Sequence, residues 1–229
     1  MPRLLHHPLD PNARFIRLCL DELGLTAELQ EEKAWHRRDE LLALNPAGEL
    51  PVLVADDGAP ICGAGVIAEY LHEDGFISKN GGTGGGLLPG DAADRAEIRR
   101  LMHWFLVKFA REVTDNLLGE KLIKRLAGTG TPRTDVLRAG GKNIGYHLDY
   151  IGYLTDRRTW LGGDQLSLAD LAAAAQLSCL DYLGDVPWES AHAAKLWYAR
   201  LKSRPSFQPL FADRVPGVTP PKHYADPDF

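Results

Sequence analysis

Residues 50–72 read Leu50-Pro51-Val52-Leu53-Val54-Ala55-Asp56-Asp57-Gly58-Ala59-Pro60-Ile61-Cys62-Gly63-Ala64-Gly65-Val66-Ile67-Ala68-Glu69-Tyr70-Leu71-His72. Two short apolar runs, 50–54 and 59–62, flank Asp57-Gly58, a dipeptide that accepts the positive φ of a tight hairpin turn. Helical spacing takes over at 65–72, with Val66, Ile67 and Leu71 on the inward side. A hairpin running straight into a helix is the end of a small α/β unit, and the residues before it supply the rest. Residues 3–6 predict a first strand, broken at Pro8 and Pro11. A helix then carries Phe15, Ile16, Leu18, Cys19, Leu20 and Leu23 up to Gly24. Residues 27–33 predict a second strand, 37–44 a polar helical piece, and Asn45-Pro46-Ala47-Gly48 a turn. The order is βαβαββα.

Downstream the pattern changes. Asn80-Gly81-Gly82-Thr83-Gly84-Gly85-Gly86 predicts a flexible connector across 78–90. After Asp91 only helical periods appear: Ile98, Leu101, Met102, Phe105, Leu106 and Phe109 form one buried face. Breaks are expected at 128–132, 162–164 and 184–187, each with glycine. The expected domains are 1–77 (α/β), the 78–90 connector, an all-helical 91–212, and a proline-rich extended tail at 213–229.

Composition narrows the function. A net charge of -5 leaves no global basic field, so neither nucleic acid nor an anionic membrane is an expected partner. No apolar run is long enough to span a bilayer, and the first residues lack the apolar core of a signal peptide. Cys19, Cys62 and Cys179 form no CxxC and no metal-ligand spacing, so a reducing cytoplasm, structural thiols and no metal are expected. Gly63-Ala64-Gly65 mimics part of a dinucleotide fingerprint, but no parallel strand and ribose-binding acid follow it.

Leu50-Pro51-Val52-Leu53 before Asp57-Gly58, followed by Ile67-Ala68-Glu69-Tyr70-Leu71, resembles the thioredoxin-like half of glutathione transferases. Leu166-Ser167-Leu168-Ala169-Asp170 resembles that superfamily's helix start in the helical domain. Ser167 at the N-cap and Asp170 three residues on predict a capping box, a structural role. The resemblance covers residues 1 to about 212 and implies an α/β plus all-α protein of the glutathione-transferase fold. It also implies that Pro51 is cis and that Leu50 stands where the family offers backbone to glutathione.

The activity motifs depart from that family. Where it places a Ser, Cys or Tyr that stabilises the glutathione thiolate, this chain has Asp10 and Ala13. Asp10 before Pro11 reads as an N-cap with proline at the first helical position. A carboxylate there occupies the anion site that a thiolate needs. At the dipeptide where the family holds the γ-glutamyl carboxylate with side chains, this chain has Gly63-Ala64. The expectation is therefore a transferase homologue without catalytic residues and without cofactor. The alternative is an atypical transferase using another thiol. His6 and His7, at the strand end, read as packing residues rather than bases.

The ending Pro220-Pro221-Lys222-His223-Tyr224-Ala225-Asp226-Pro227-Asp228-Phe229 resembles the FtsZ-localized branch of the superfamily in alphaproteobacteria. That resemblance implies a cytoplasmic homodimer that is recruited to the division site, binds FtsZ and alters its filaments. Proline-stiffened segments dock at low entropic cost, so Pro220, Pro221, Tyr224, Asp226, Asp228 and Phe229 are the expected partner contacts. Trp35, between Glu31-Glu32 and His36-Arg37-Arg38, is a further one.

Overall fold

The computed structural model describes residues 1–73 and 86–226. Its first part runs β1 (Arg3–His6), α1 (Pro11–Glu22), β2 (Glu28–Glu31), a single 3₁₀ turn (Ala34–His36), α2 (Asp39–Leu44), β3 (Val52–Val54), β4 (Pro60–Cys62) and α3 (Ala64–His72). The sheet order is β2-β1-β3-β4, with β1 parallel to β2 and antiparallel to β3. β3 and β4 form the hairpin expected around Asp57-Gly58, in the register Val52 to Cys62. Alternation along β1 sorts its two leucines onto opposite faces. Leu4 joins Phe15, Ile16 and Ile67 in the main core, while Leu5 joins Leu41, Leu50 and Val52 under α2. The Leu50-Pro51 peptide is cis, as the resemblance implied.

The second part begins at α4 (Ala92–His103), whose first turn carries a capping box between Asp91 and Asp94. The chain continues unbroken through wider, π-helical turns (Trp104–Thr114), α5 (Asp115–Leu118), a second wide segment (Gly119–Ile123) and α6 (Lys124–Ala127). Gly128, at φ 66°, ends this run. Then come α7 (Thr134–Thr155), α8 (Leu168–Leu183), α9 (His192–Lys202) and α10 (Gln208–Phe211).

α8 is the axis of the molecule, buried from Leu168 through Tyr182. Ala172 to Ala175 keep its surface low, so α1 of the first part lies directly against it. The expected capping box forms: Asp170 accepts from Ser167 N–H (3.1 Å) and Ser167 Oγ (2.9 Å). It also accepts from Leu161 N–H (2.8 Å) and Trp197 Nε1 (3.0 Å), so one carboxylate ties three segments together.

Two expectations about flexible segments change. Residues 78–85 of the connector lie outside the described residues, but at its end Leu87 and Leu88 are buried in the main core. Two leucines gain more by burial than a linker gains by freedom. The tail, expected to be extended, closes a 3₁₀ turn at Lys222–Ala225, and through Val215 and Tyr224 its described part is docked on its own helical domain.

Candidate functional site

A cleft of about 390 Å³ opens between the two parts. His7, Leu9, Asp10, Pro11, Trp35 and Leu50 line it from the first part, and Thr114, Asp115, Leu118 and Ile123 from the second. The size falls in the range of small-molecule sites. Asp10 sits at its floor because it must cap α1, which Pro11 starts: its Oδ1 accepts from Ala13 N–H at 2.7 Å. The N-terminal donors of α1 are thus used internally, as expected, and Ala13 is buried with no functional group to offer.

The charge on Asp10 differs from the expectation. Burial raises its carboxyl to about 7 against the pull of the Ala13 and Asn12 N–H groups, and the nearby Asp115 and Glu49 push the same way. At neutral pH Asp10 is therefore only partly ionised. Asp10 occupies the helix donors with its cap bond, and in this state it repels an anion less than a full carboxylate would. Across the cleft, burial also raises Asp115.

Both histidines are uncharged and only weakly basic at neutral pH. Burial lowers both His6 and His7 to about 4, helped by Arg17 and Arg14 at His6 and by Arg14 and Lys33 at His7. His7 Nδ1 accepts from Leu9 N–H at 3.3 Å, which shapes the cleft wall. Leu50 reaches the cleft, but Gly63 and Ala64 do not line it. Gly63 starts α3 at φ 88° without a side-chain cap. The thiols are no better placed. Cys19 and Cys179 are buried and raised by burial, and the half-buried Cys62 donates to Leu44 O at 3.5 Å and is also raised.

Trp35 stands in the 3₁₀ turn, edge-on to His7 at 5.1 Å, and forms part of the cleft wall. It does not sit free in a surface loop. Its Nε1 is buried without a hydrogen-bond partner.

Tyr224 needs a correction. Expected as an anchor offered to a partner, it is 1% exposed and lies edge-on to Tyr182 and Phe211. Its hydroxyl donates to Leu210 O at 3.0 Å. The ring finds its pocket in the same chain, where docking needs no second molecule. Other bonds hold the tail around it: Arg125 donates to the carbonyls of Pro216 and Gly217, and Lys202 to that of His223. Pro220 and Pro221 are half-buried and Asp226 is exposed, while Asp228 and Phe229 lie outside the described residues.

The sequence reading missed the cluster beneath the tail. Arg14 is completely buried and donates to Pro8 O (2.7 Å), Ser178 Oγ (2.9 Å) and Asp213 Oδ2 (3.1 Å). Arg17 joins it on Asp213 at 2.9 Å. One carboxylate at the root of the tail thus holds two arginines of α1, and Arg14 in turn holds Pro8, next to the cleft residues Leu9 and Asp10. The available signal was two arginines, Arg14 and Arg17, inside the otherwise apolar run 13–20 of α1.

Comparison with known proteins supports the same reading of the fold. The family models for the glutathione S-transferase N-terminal and C-terminal domains match residues 11–74 and 133–205. FtsZ-localized protein A of Caulobacter vibrioides is 46% identical over 231 residues, covering 99% of this chain and 98% of that protein. A crystal structure of a glutathione S-transferase from Rhodospirillum rubrum F11 superposes with a TM-score of 0.93 at 49% identity, covering 100% of both chains. The structure of FzlA from C. crescentus gives 0.92 at 44% identity, covering 100% of this chain and 99% of that one. Among the described residues no helix is long and apolar enough to cross a membrane. With both domain types matched and full-length similarity of this degree, the chain belongs to the glutathione S-transferase family.

Proposed function

We propose that this protein is a non-catalytic member of the family that binds FtsZ filaments as a homodimer and alters their curvature or bundling at the division site. The carrying observation is the end-to-end similarity to a protein named FtsZ-localized protein A. The cleft supports the non-catalytic half. Asp10 stands where the family places the thiolate-stabilising group, the lowered histidines are weak bases, and every cysteine thiol is raised rather than activated. The proposed partner contacts are Trp35, Pro220, Pro221 and Asp226, together with Asp228 and Phe229 outside the described residues. Tyr224 serves them by fixing the tail in place. Two-fold pairing presents these contacts twice, and two linked sites raise the effective concentration of one filament beside another.

The filament claim is tested by electron microscopy of GTP-assembled FtsZ with and without the protein. Curved or bundled filaments are expected, and filaments unchanged at saturating protein count against the proposal. The non-catalytic claim is tested by thermal denaturation with glutathione. A ligand at a hundred times its dissociation constant stabilises by about 2.7 kcal/mol. No rise in midpoint is expected here at millimolar glutathione. A clear rise would return the cleft to transferase chemistry.

A further inference from the structure

The seated tail and the cleft share their packing. Leu9 and Leu118 line the cleft from its two sides, and both belong to a small apolar cluster that Val215 and Tyr224 of the tail complete. Polar ties repeat the link through α8. The Tyr182 hydroxyl accepts from Val215 N–H (3.2 Å) and donates to Val218 O (3.1 Å), while Cys179 Sγ, three residues earlier, donates to Leu9 O at 3.5 Å. Arg14 is a third tie, since it holds Asp213 at the root of the tail and Pro8 O beside Leu9. A separate anchor holds the tail from residues that do not line the cleft. His223 Nε2 lies 3.1 Å from Asp181 Oδ1, and Lys202 Nζ donates to His223 O at 2.8 Å. A short segment held by a few side chains opens locally at a lower free energy than the core. When this one opens, Leu9 and Leu118 lose the packing of Val215 and Tyr224, and a close-packed cluster of this size relaxes around the gap.

We infer that tail and cleft form one two-state unit: the tail leaves its seat only together with a loosening of the cleft walls at Leu9 and Leu118. The element with two states is the tail, seated or released, and the shared cluster is what makes the cleft feel the difference. The coupling is reciprocal, so whatever steadies the walls also keeps the tail seated. The coupling does not rest on the FtsZ reading; only its use does. Where the tail meets a filament, as proposed above, the cleft is the place from which that contact is adjusted.

The test is hydrogen exchange of the full-length protein, read by mass spectrometry in the tail (213–226), in the cleft walls (7–13 and 115–123) and in the β3–β4 hairpin (52–62), which reports global opening. The first variant is His223→Ala, at a side chain that is 39% exposed and takes no part in the cleft. Asp181 keeps Trp188 Nε1 at 2.8 Å and Lys202 at 3.6 Å, and a thermal melt checks the fold. Exchange in the tail should rise about tenfold, with a rise of about threefold or more in both cleft walls and none in the hairpin. The second variant works from the other side. Leu118→Val trims the cleft wall and should speed exchange in the tail, whereas Ile144→Val, a similar cut in the main core, should not. Cleft walls that stay protected while the H223A tail opens, or a tail unmoved by L118V, overturn the inference. So does a tail that answers I144V as it answers L118V, because it then follows global stability alone. No filament enters the experiment, so its failure leaves the FtsZ proposal untouched.

Discussion

Replacing Asp213 with alanine is expected to lower folding stability by about 3–5 kcal/mol, the range for removing one partner of a buried ion pair. Asp213 is the carboxylate on which both Arg14 and Arg17 converge, and these two side chains are 0% and 7% exposed. Removing it leaves two guanidinium groups inside the protein, where arginine cannot escape by losing its proton. Arg14 keeps Pro8 O and Ser178 Oγ, so some compensation remains. For a chain of this size the melting temperature should fall by roughly 10 °C. Because Asp213 roots the tail, limited proteolysis should also cut residues 214–226 sooner in D213A than in the unaltered protein. Urea denaturation and a timed protease digest measure both effects. A stability loss below about 1 kcal/mol would mean that solvent reaches these arginines and that the pairing is a surface contact.

The second large effect is expected at Asp170. Alanine there strands donors from Leu161, Ser167 and Trp197 that now converge on one carboxylate. Each buried, unsatisfied donor costs about 1–3 kcal/mol, and the Ser167 hydroxyl alone can turn elsewhere. The expected loss is about 4 kcal/mol or more, a large part of the 5–15 kcal/mol that holds a typical protein together. D170A should therefore be recovered in low soluble yield with a strongly reduced urea midpoint. D170N keeps one acceptor oxygen for Leu161 and Trp197 and should lose clearly less. An alanine variant that denatures like the unaltered protein would show that the capping box is dispensable.

These two residues also mark how far the sequence could be read. The Ser167–Asp170 box was legible because its signal is local: a capping residue, a carboxylate three positions on, then an apolar run. The hairpin at Asp57-Gly58 and the Asp10-Pro11 start of α1 were legible for the same reason. Asp213 was not, because nothing near it in sequence says that Arg14 and Arg17 wait some two hundred residues away. Tyr224 misled for a related reason. An aromatic residue between prolines has the composition of a docking motif whether its pocket lies on a partner or on its own chain. Asp10 was legible in identity but not in charge, since its protonation depends on burial by both domains and on Asp115, which stands on the far wall. The cleft required both halves of the chain at once.

The burial of Tyr224 also dictates how the filament proposal should be tested. Deleting the whole tail would remove a core residue and confuse misfolding with lost contact, whereas deleting 227–229 leaves Tyr224 in place. The most direct measurement is co-sedimentation of the purified protein with GTP-polymerised FtsZ, for the intact chain and for the chain ending at Asp226. The intact protein should pellet with the filaments and only in the presence of GTP, and the shortened chain should pellet less. An intact, folded protein that stays in the supernatant at every FtsZ concentration would contradict the account.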